Sequence, residues 1–252
     1  MKLRIHSLSK NYTGPEGKTI HALVDCSMNI EDGSFTVIVG RSGCGKTTLL
    51  KLIAGLEEPG LGTVEFSAVP KMGFMFQDPR LLPWLTVEEN LALAFPRSGS
   101  RAEKAAVRDK IRRVLAMTGL ADRSGSLPQE LSGGMAQRTA LARCLCRNPD
   151  ILLLDEPLSS LDAFTRLRLR EELEKLWQQL GLTVILVTHE IEEAVFFGER
   201  IFLMSEGKLK NEVPIPLPRP RDYRGTEFQE YCQKIEKELC RCGAKNESKN
   251  ME

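Results

Sequence analysis

Eight consecutive residues early in the chain have the composition and spacing of a loop that binds the phosphates of a nucleoside triphosphate. They are Gly40, Arg41, Ser42, Gly43, Cys44, Gly45, Lys46 and Thr47. Glycines let backbone N–H groups approach phosphate oxygens closely. Lys46 is expected to reach the β- and γ-phosphates, the Thr47 hydroxyl to bind Mg²⁺, and Thr48 to hydrogen-bond near the α-phosphate. The alternative is a glycine-rich turn without a ligand.

Two adjacent carboxylates, Asp155 and Glu156, follow the apolar run Ile151-Leu152-Leu153-Leu154. Two acids at the tip of a buried strand are costly unless they have a role. Asp155 suits the Mg²⁺ shell, through water, and Glu156 is then placed to polarise an attacking water as general base. The alternative is a solvated strand end with incidental acids. The phosphate loop argues against this alternative, because it predicts a metal–phosphate site on a neighbouring strand.

Strand and helix patterns around these residues predict the fold that positions them. Strands are expected at residues 2–12, 21–30, 34–39, 63–66, 72–76, 151–154 and 182–187. The first two alternate apolar and polar residues, as half-exposed antiparallel strands do. The strand at 34–39 leads into the phosphate loop, and a helix from Lys46 to Ala54 follows and stops at Gly55. The later alternation of strand and helix predicts a parallel sheet wrapped by helices.

The stretch from about 77 to 148 has no clear strand and predicts a helical insertion into this α/β core. Within it, residues 101–118 have the apolar spacing of an amphipathic helix, and its apolar positions are Ala105, Val107, Ile111, Val114 and Leu115. Residues 214–221 are rich in proline and predict an extended linker. Residues 226–242 resume an amphipathic helix, and the last ten residues are polar. We therefore expect an ATPase domain over 1–224 and a C-terminal helix and polar tail over 225–252.

Composition excludes several classes of protein. The 252 residues are 42% hydrophobic and 27% charged, which is ordinary for a globular protein. The net charge of +1 argues against a dedicated nucleic-acid surface. No apolar run reaches the roughly 20 residues that span a bilayer, and the N-terminus lacks the apolar stretch of a secretory signal. Seven cysteines without framework spacing fit a reducing cytosol.

A third segment, Leu131-Ser132-Gly133-Gly134-Met135-Ala136-Gln137-Arg138, lies between the phosphate loop and Asp155-Glu156. In this order the three segments resemble the ATP-binding cassette family. The resemblance implies a P-loop NTPase core of the RecA-like type, with an N-terminal antiparallel β subdomain and an inserted helical subdomain. It also implies ATP and Mg²⁺ as ligands, and a homodimer. In that dimer the third segment, which is the signature of the family, closes over ATP bound to the other subunit.

The resemblance assigns further residues one by one. Tyr12 is similar to the aromatic that stacks on adenine, and Gln77 to the glutamine that contacts Mg²⁺ or water. His189 is similar to the histidine that hydrogen-bonds the γ-phosphate, and it follows a predicted core strand. Two groups face the second subunit: the signature donors Ser132, Gly133 and Gly134, and the loop Ser160, Leu161 and Asp162. Ser132 is also expected to cap the helix that follows it.

Other segments are similar to the nitrate, sulfonate and taurine importer branch of this family. They are Leu81–Val87, Met135 after the signature, Asp162–Arg166 and Pro218–Asp222. The branch implies a separate membrane permease, indirectly a substrate-binding protein, and a peripheral location at the cytoplasmic face of the inner membrane. The permease is expected to contact residues 77–95, where Pro83 interrupts an apolar cluster. Alternatives are another ABC transporter or a soluble single-cassette ATPase such as an iron–sulfur assembly subunit.

Overall fold

A computed structural model describes residues 3–14, 17–96 and 100–244 of the chain. Its strands and helices, in chain order, are β1 (Leu3–Thr13), β2 (Thr19–Ile30), β3 (Phe35–Val39), α1 (Lys46–Ile53), β4 (Leu61–Phe66), β5 (Met72–Met75), α2 (Val87–Ala92), α3 (Arg101–Met117), α4 (Gly133–Leu145), β6 (Ile151–Asp155), α5 (Ala163–Leu180), β7 (Thr183–Thr188), α6 (Ile191–Phe197), β8 (Arg200–Ser205), β9 (Lys208–Pro214) and α7 (Thr226–Ala244). The chain forms two compact units, one of Met1–Val69 with Thr183–Glu252 and the other of Pro70–Leu182.

The first unit contains an antiparallel sheet of order β2-β1-β4, which confirms the predicted N-terminal β subdomain. Leu3, Ile5 and Leu8 of β1 are buried, while residues between them are exposed. This alternation is the one that the sequence pattern predicts for strands with one wet face. The predicted strand began at Lys2, which lies outside the described residues.

The same unit contains strands in the order β7-β3-β8-β9. The pairs of β3 with β7 and β8 are parallel, and β9 runs antiparallel to β8. All five residues of β3 are buried, because a parallel strand covered on both faces has no solvent side. The sequence patterns had not singled out α6, β8 or β9. The apolar run in β8 is only four residues long, so periodicity alone could not assign it.

The second unit pairs β5 and β6 in parallel and carries α2 to α5. Its helices α2 and α3 begin with capping boxes at Thr86 and Ser100, each reciprocated by a glutamate three residues later. On α3 the residues Ile111, Val114 and Leu115 are buried, whereas Ala105, which the pattern placed on the apolar face, is exposed. The predicted helical insertion is therefore present, with α2, α3 and α4 as its helices.

The C-terminal amphipathic helix is also present as α7, with Phe228 and Ile235 buried. The polar tail beyond residue 244 lies outside the described residues. The segment at 214–221 is extended, as predicted, but it is packed rather than a free linker. Arg221 is 6% exposed and donates to the carbonyl oxygens of Val195, Phe196 and Gly198 at the end of α6. Among the described residues no helix combines the length and the apolarity needed to cross a membrane.

Candidate functional site

The phosphate loop connects β3 to α1 and depends on glycine at two positions. A Cβ atom on Gly40 would lie 2.2 Å from the carbonyl oxygen of Met204, and one on Gly45 would lie 2.3 Å from that of Ala22. Gly45 also has φ of 105°, a backbone region that other residues rarely adopt. The loop is therefore pressed against neighbouring backbone at both glycines, and it ends at the N-terminus of α1.

Lys46 lies folded over this loop. The residue is 4% exposed, and its Nζ donates to the carbonyl oxygens of Gly40 at 2.9 Å and Arg41 at 3.2 Å. A buried ammonium is stable only with such partners. Thr47 and Thr48 follow in the first turn of α1, which contains no acid. The positive end of the helix and the lysine charge together favour an anion here.

His189 lies beside the phosphate loop, as the Gly40 N–H donates to the Thr188 carbonyl oxygen at 3.3 Å. The His189 side chain is 39% exposed, with Nε2 3.7 Å from Glu190 Oε1. A cavity of about 350 Å³ opens between these segments and is lined by Gly40, Arg41, Ser42, His189, Ile191, Glu236, Leu239 and Cys240. The last three belong to α7, whose place beside the loop no sequence pattern had indicated.

Tyr12, the predicted adenine-stacking residue, lies near the end of β1 with 36% of its surface exposed. Its hydroxyl donates to a carboxylate oxygen of Glu57, and Lys51 Nζ donates to the other oxygen at 3.2 Å. Burial and the bond to Glu57 raise the pKa of Tyr12. Sequence reasoning missed Glu57, since an acid after a helix 45 residues from its partner carries no local signal.

In the second unit, Asp155 ends β6 and is 4% exposed, and Glu156 follows it half-buried. Glu156 has φ of 45°, in the left-handed region that side chains with a Cβ seldom occupy. Ser159 Oγ donates to the Glu156 carbonyl oxygen at 3.0 Å and helps to hold this turn. Backbone strain of this kind is concentrated at functional sites, where surrounding contacts maintain it.

The signature segment forms the start of α4, as its sequence predicted. Ser132 is the N-cap, and its side chain accepts from the Met135 N–H at 3.3 Å. A Cβ on Gly134 would lie 2.4 Å from Thr165 Cγ2, so glycine allows α4 to pack closely on α5. Ser132 and Gly133 are exposed and the first turn of α4 contains no acid. This helix start is thus open to an anion from outside the unit.

Gln77 and the loop at Ser160 are brought together by a residue that sequence reasoning missed. Gln137 is 1% exposed, and its Nε2 donates to the Gln77 carbonyl oxygen at 3.1 Å and to Ser160 Oγ at 3.4 Å. Gln77 Nε2 in turn lies 3.5 Å from Ser159 Oγ. Helical spacing could have indicated that Gln137 is buried, because it lies on the same face of α4 as the buried residues Leu141 and Cys144.

The predicted dimer loop ends in a helix cap. Asp162 Oδ1 accepts from the N–H groups of Phe164 at 3.1 Å and Thr165 at 3.0 Å, and these bonds lower the pKa of Asp162. Leu161 is buried, whereas Ser160 and Asp162 are exposed. Phe164, in the first turn of α5, is 72% exposed. The loop therefore has a fixed shape and an accessible surface that contains an apolar side chain.

The predicted permease-contact region includes one wall of a groove. A cavity of about 810 Å³ lies between α2 and α3 and is lined by Thr86, Glu88, Glu89, Ala92, Phe95, Pro96, Glu103, Lys104, Val107, Arg108 and Ile111. Its lining combines apolar side chains with charges of both signs. Trp84, just before α2, is 71% exposed. Amphipathic helices bind other proteins through grooves with apolar lining.

The described residues contain no group of three or more His, Cys, Asp or Glu side chains that could hold a metal ion. Mg²⁺, the expected metal, does not require such a group, because on a nucleotide it takes few protein ligands and keeps phosphate and water oxygens. Each unit contains an oxygen donor of that kind. Thr47 has a hydroxyl in the first turn of α1, and Asp155 has a carboxylate at the end of β6.

The chain is similar to known proteins over most of its length. A family model described as ABC transporter matches residues 23–159. An aliphatic sulfonates import ATP-binding protein SsuB of Bacillus cereus is 42% identical over 251 residues, covering 96% of this chain and 98% of the relative. SsuB of Cupriavidus pinatubonensis is 43% identical over 239 residues, covering 92% and 76%.

Solved structures show the same similarity. The dimeric post-hydrolysis state of the ATP-binding cassette MJ0796, bound to ADP and Pi, is 33% identical with a TM-score of 0.75, covering 86% of this chain and 100% of that chain. The cassette CbiO1 of Clostridium perfringens, part of an ABC transporter complex, is 26% identical with a TM-score of 0.74, covering 92% and 91%.

Proposed function

The chain belongs to the ABC transporter family, and we propose that it is the ATP-hydrolysing subunit of an importer for aliphatic sulfonates. The observation that carries this proposal is the similarity to SsuB proteins, at 42% to 43% identity over more than nine-tenths of the chain. The segments that resemble the importer branch, from Leu81 to Asp222, support the same substrate class. Nitrate and taurine are the neighbouring chemistries that the experiment below separates.

The first unit supplies the residues for holding ATP. The glycine loop and Lys46 bind the β- and γ-phosphates, Thr48 the α-phosphate side, and Tyr12 stacks on the adenine. His189 hydrogen-bonds the γ-phosphate from its place beside the loop. The support for these roles is the buried, carbonyl-held Lys46 ammonium and the exposed ring of Tyr12.

The second unit supplies the general base and the glutamine that orients the attacking water. Glu156 is the general base that takes a proton from the attacking water, and Gln77 orients that water. Thr47, Gln77 and Asp155 are the side chains that would hold Mg²⁺, directly or through water. When bound, the ion neutralises charge on the phosphate oxygens. The strained backbone of Glu156 and the anchored carbonyl of Gln77 support these assignments.

Two copies of the chain act together. Ser132, Gly133 and Gly134 of one copy donate to the γ-phosphate held by the other, and Ser160, Leu161 and Asp162 lie at the same interface. The open N-terminus of α4 supports this, since it has donors and no acid to satisfy them. The dimeric state of MJ0796 supports the arrangement. Loss of the γ-phosphate weakens the bridging contacts and shifts the population toward an open dimer.

The transport partner is an integral membrane permease, indirectly served by a substrate-binding protein. We assign the groove between α2 and α3 to a short helix of the permease, because its lining of apolar side chains and charges of both signs suits an amphipathic helix. The chain is then a peripheral protein at the cytoplasmic face of the membrane. Residues 1–224 form the ATPase domain in this proposal, with 225–252 as a C-terminal extension.

The proposal is tested by uptake of labelled solutes in the native host after deletion of the gene. Uptake of an alkanesulfonate without an amino group should fall to background and return with a plasmid copy of the chain, but not with its Lys46→Ala variant. Taurine and nitrate uptake are measured in parallel. Unchanged alkanesulfonate uptake, with loss of one of the other two, would move the substrate to that solute.

A further inference from the structure

The hydroxyl end of Tyr12 is tied to the helix that carries the phosphate-binding residues. Tyr12 donates to Glu57 Oε2, and Lys51 Nζ donates to Glu57 Oε1 at 3.2 Å. Lys51 lies on α1 one turn after Thr48, so both residues occupy the same helix face. The hydroxyl end of the aromatic ring is thus linked to α1 through Glu57 and Lys51.

The protonation states suit a strong hydrogen bond. Burial and the bond to Glu57 raise the pKa of Tyr12, while the bond from Tyr12 lowers the pKa of Glu57. At neutral pH the phenol is therefore the donor and the ionised carboxylate the acceptor. Hydrogen bonds with one charged partner are shorter and roughly twice as strong as those between neutral groups.

These contacts do little for folding. The Lys51 and Glu57 side chains are 34% and 24% exposed, and ion pairs that water reaches contribute little to the free energy of unfolding. Meanwhile the ring keeps accessible surface, and its cross-strand partner Ile20 is 50% exposed. Two neighbouring apolar side chains therefore lie open on the strand pair, and the Glu57 carboxylate fixes the orientation of one of them.

We propose that Glu57 is a positioning residue for the base of the nucleotide, which fixes the Tyr12 ring at a set distance from the phosphate loop through Lys51. This rests on the proposed function, in which Tyr12 stacks on the adenine. Because the Tyr12 ring is already held in one orientation, its side-chain entropy is lost on folding and not when the base binds. Binding of ATP then has a smaller entropy cost, and the affinity for ATP rises. Ile20 extends the apolar surface on which the base lies.

The experiment measures ATPase kinetics and the inhibition constant of inorganic tripolyphosphate, which has phosphates but no base. Glu57→Ala should raise the KM for ATP by about threefold to tenfold, the effect of one hydrogen bond, with kcat within about twofold. The inhibition constant of tripolyphosphate should not change. Glu57→Gln keeps an acceptor oxygen and should recover most of the loss. Glu58→Ala, a neighbouring exposed acid, is the matched control.

Coupling to the ring is measured with Tyr12→Phe, which keeps the aromatic face and removes the donor. The double variant Tyr12→Phe/Glu57→Ala should have the same KM for ATP as the single variant with the higher KM, because both substitutions remove the same hydrogen bond. Multiplied effects in the double variant, or weaker tripolyphosphate binding by Glu57→Ala, would assign Glu57 to the shape of α1 and overturn the proposal. A wild-type protein that binds no ATP would instead contradict the proposed function itself.

Discussion

The side-chain amide of Gln137 donates to the backbone carbonyl oxygen of Gln77 across a distance of 3.1 Å. The same Nε2 lies 3.4 Å from Ser160 Oγ, so one buried side chain of the signature helix contacts two other segments assigned to the reaction. Gln137 is 60 residues from Gln77 and 23 from Ser160 along the chain. In the second unit, a displacement of any one of these segments must therefore be accommodated by the other two.

Gln137→Leu keeps most of the volume of this side chain and removes its hydrogen bonds. We expect hydrolysis to fall on the order of tenfold, since Gln77 loses its anchor, while ATP binding stays unchanged. The free energy of unfolding should fall by about 1–3 kcal/mol, because a polar partner is left unsatisfied. Denaturant titration and steady-state ATPase rates measure the two effects. Gln178→Leu, on the exposed face of α5, is the control, and equal rates in both variants would contradict the linkage.

Glu156→Gln should remove the general base while leaving the nucleotide contacts in place. A positioned base contributes about 10²–10⁴ in rate, so hydrolysis should fall by at least that factor. ATP should still bind, and the variant should accumulate as an ATP-bound dimer on size-exclusion chromatography. Glu171→Gln, an exposed glutamate of α5, should hydrolyse ATP at the wild-type rate. Near-normal turnover in Glu156→Gln would remove this residue from the role.

Lys46→Ala and Ser132→Arg should complement each other when mixed. The first should lose nucleotide binding, whereas the second should bind ATP as a monomer and fail to close, because the signature donors are blocked. A mixed dimer places both lesions in one composite site and leaves the other intact. We expect ATPase activity in the mixture that neither variant has alone. A mixture as inactive as its components at every ratio would argue against a shared site or for strict coupling between sites.

Thiol reagents should distinguish the cysteines of the native protein at pH 8. Burial raises the pKa of Cys144 to about 12 and that of Cys146 to about 11, so both remain as unreactive thiols at that pH. Cys240 is exposed and should be modified first. Because the raised pKa values also lie well above 9, a shift to pH 9 should leave Cys144 and Cys146 unmodified until the protein is unfolded. Mass spectrometry of native and unfolded samples gives the order, and early modification of Cys144 would contradict its burial.

A cysteine at Glu88, in a variant without native thiols, should cross-link to a cytoplasmic loop of the permease. Glu88 lines the groove between α2 and α3, which is the assigned contact. Lys175→Cys, on the exposed face of α5, should give no such product. The cross-linked peptide is identified by mass spectrometry in membranes that contain the whole complex. Products at α7 instead, or a protein that purifies only with soluble partners, would require another transport surface.

The sequence alone determined the features that depend on neighbours along the chain. The glycines and lysine of the phosphate loop, the Ser132 cap and the strand ending at Asp155 are all local patterns, because backbone conformation and helix capping are decided within a few residues. The parallel and antiparallel strands followed from periodicity for the same reason. The sequence pattern did not predict short elements such as β8, because four apolar residues do not define a period.

Only the tertiary structure decided which distant side chains meet. Glu57 reaches Tyr12 across 45 residues, Gln137 reaches Gln77 across 60, and α7 lines a cavity with the phosphate loop. In each contact, the sequence around the residues does not single them out as partners. Their partners are selected by the packing of whole helices and strands, which buries one face of each element and so brings particular side chains together. The free energy of loop closure rises only slowly with loop length, so partners can lie far apart in the sequence. A pattern that spans a few neighbouring residues cannot identify a partner at such a distance.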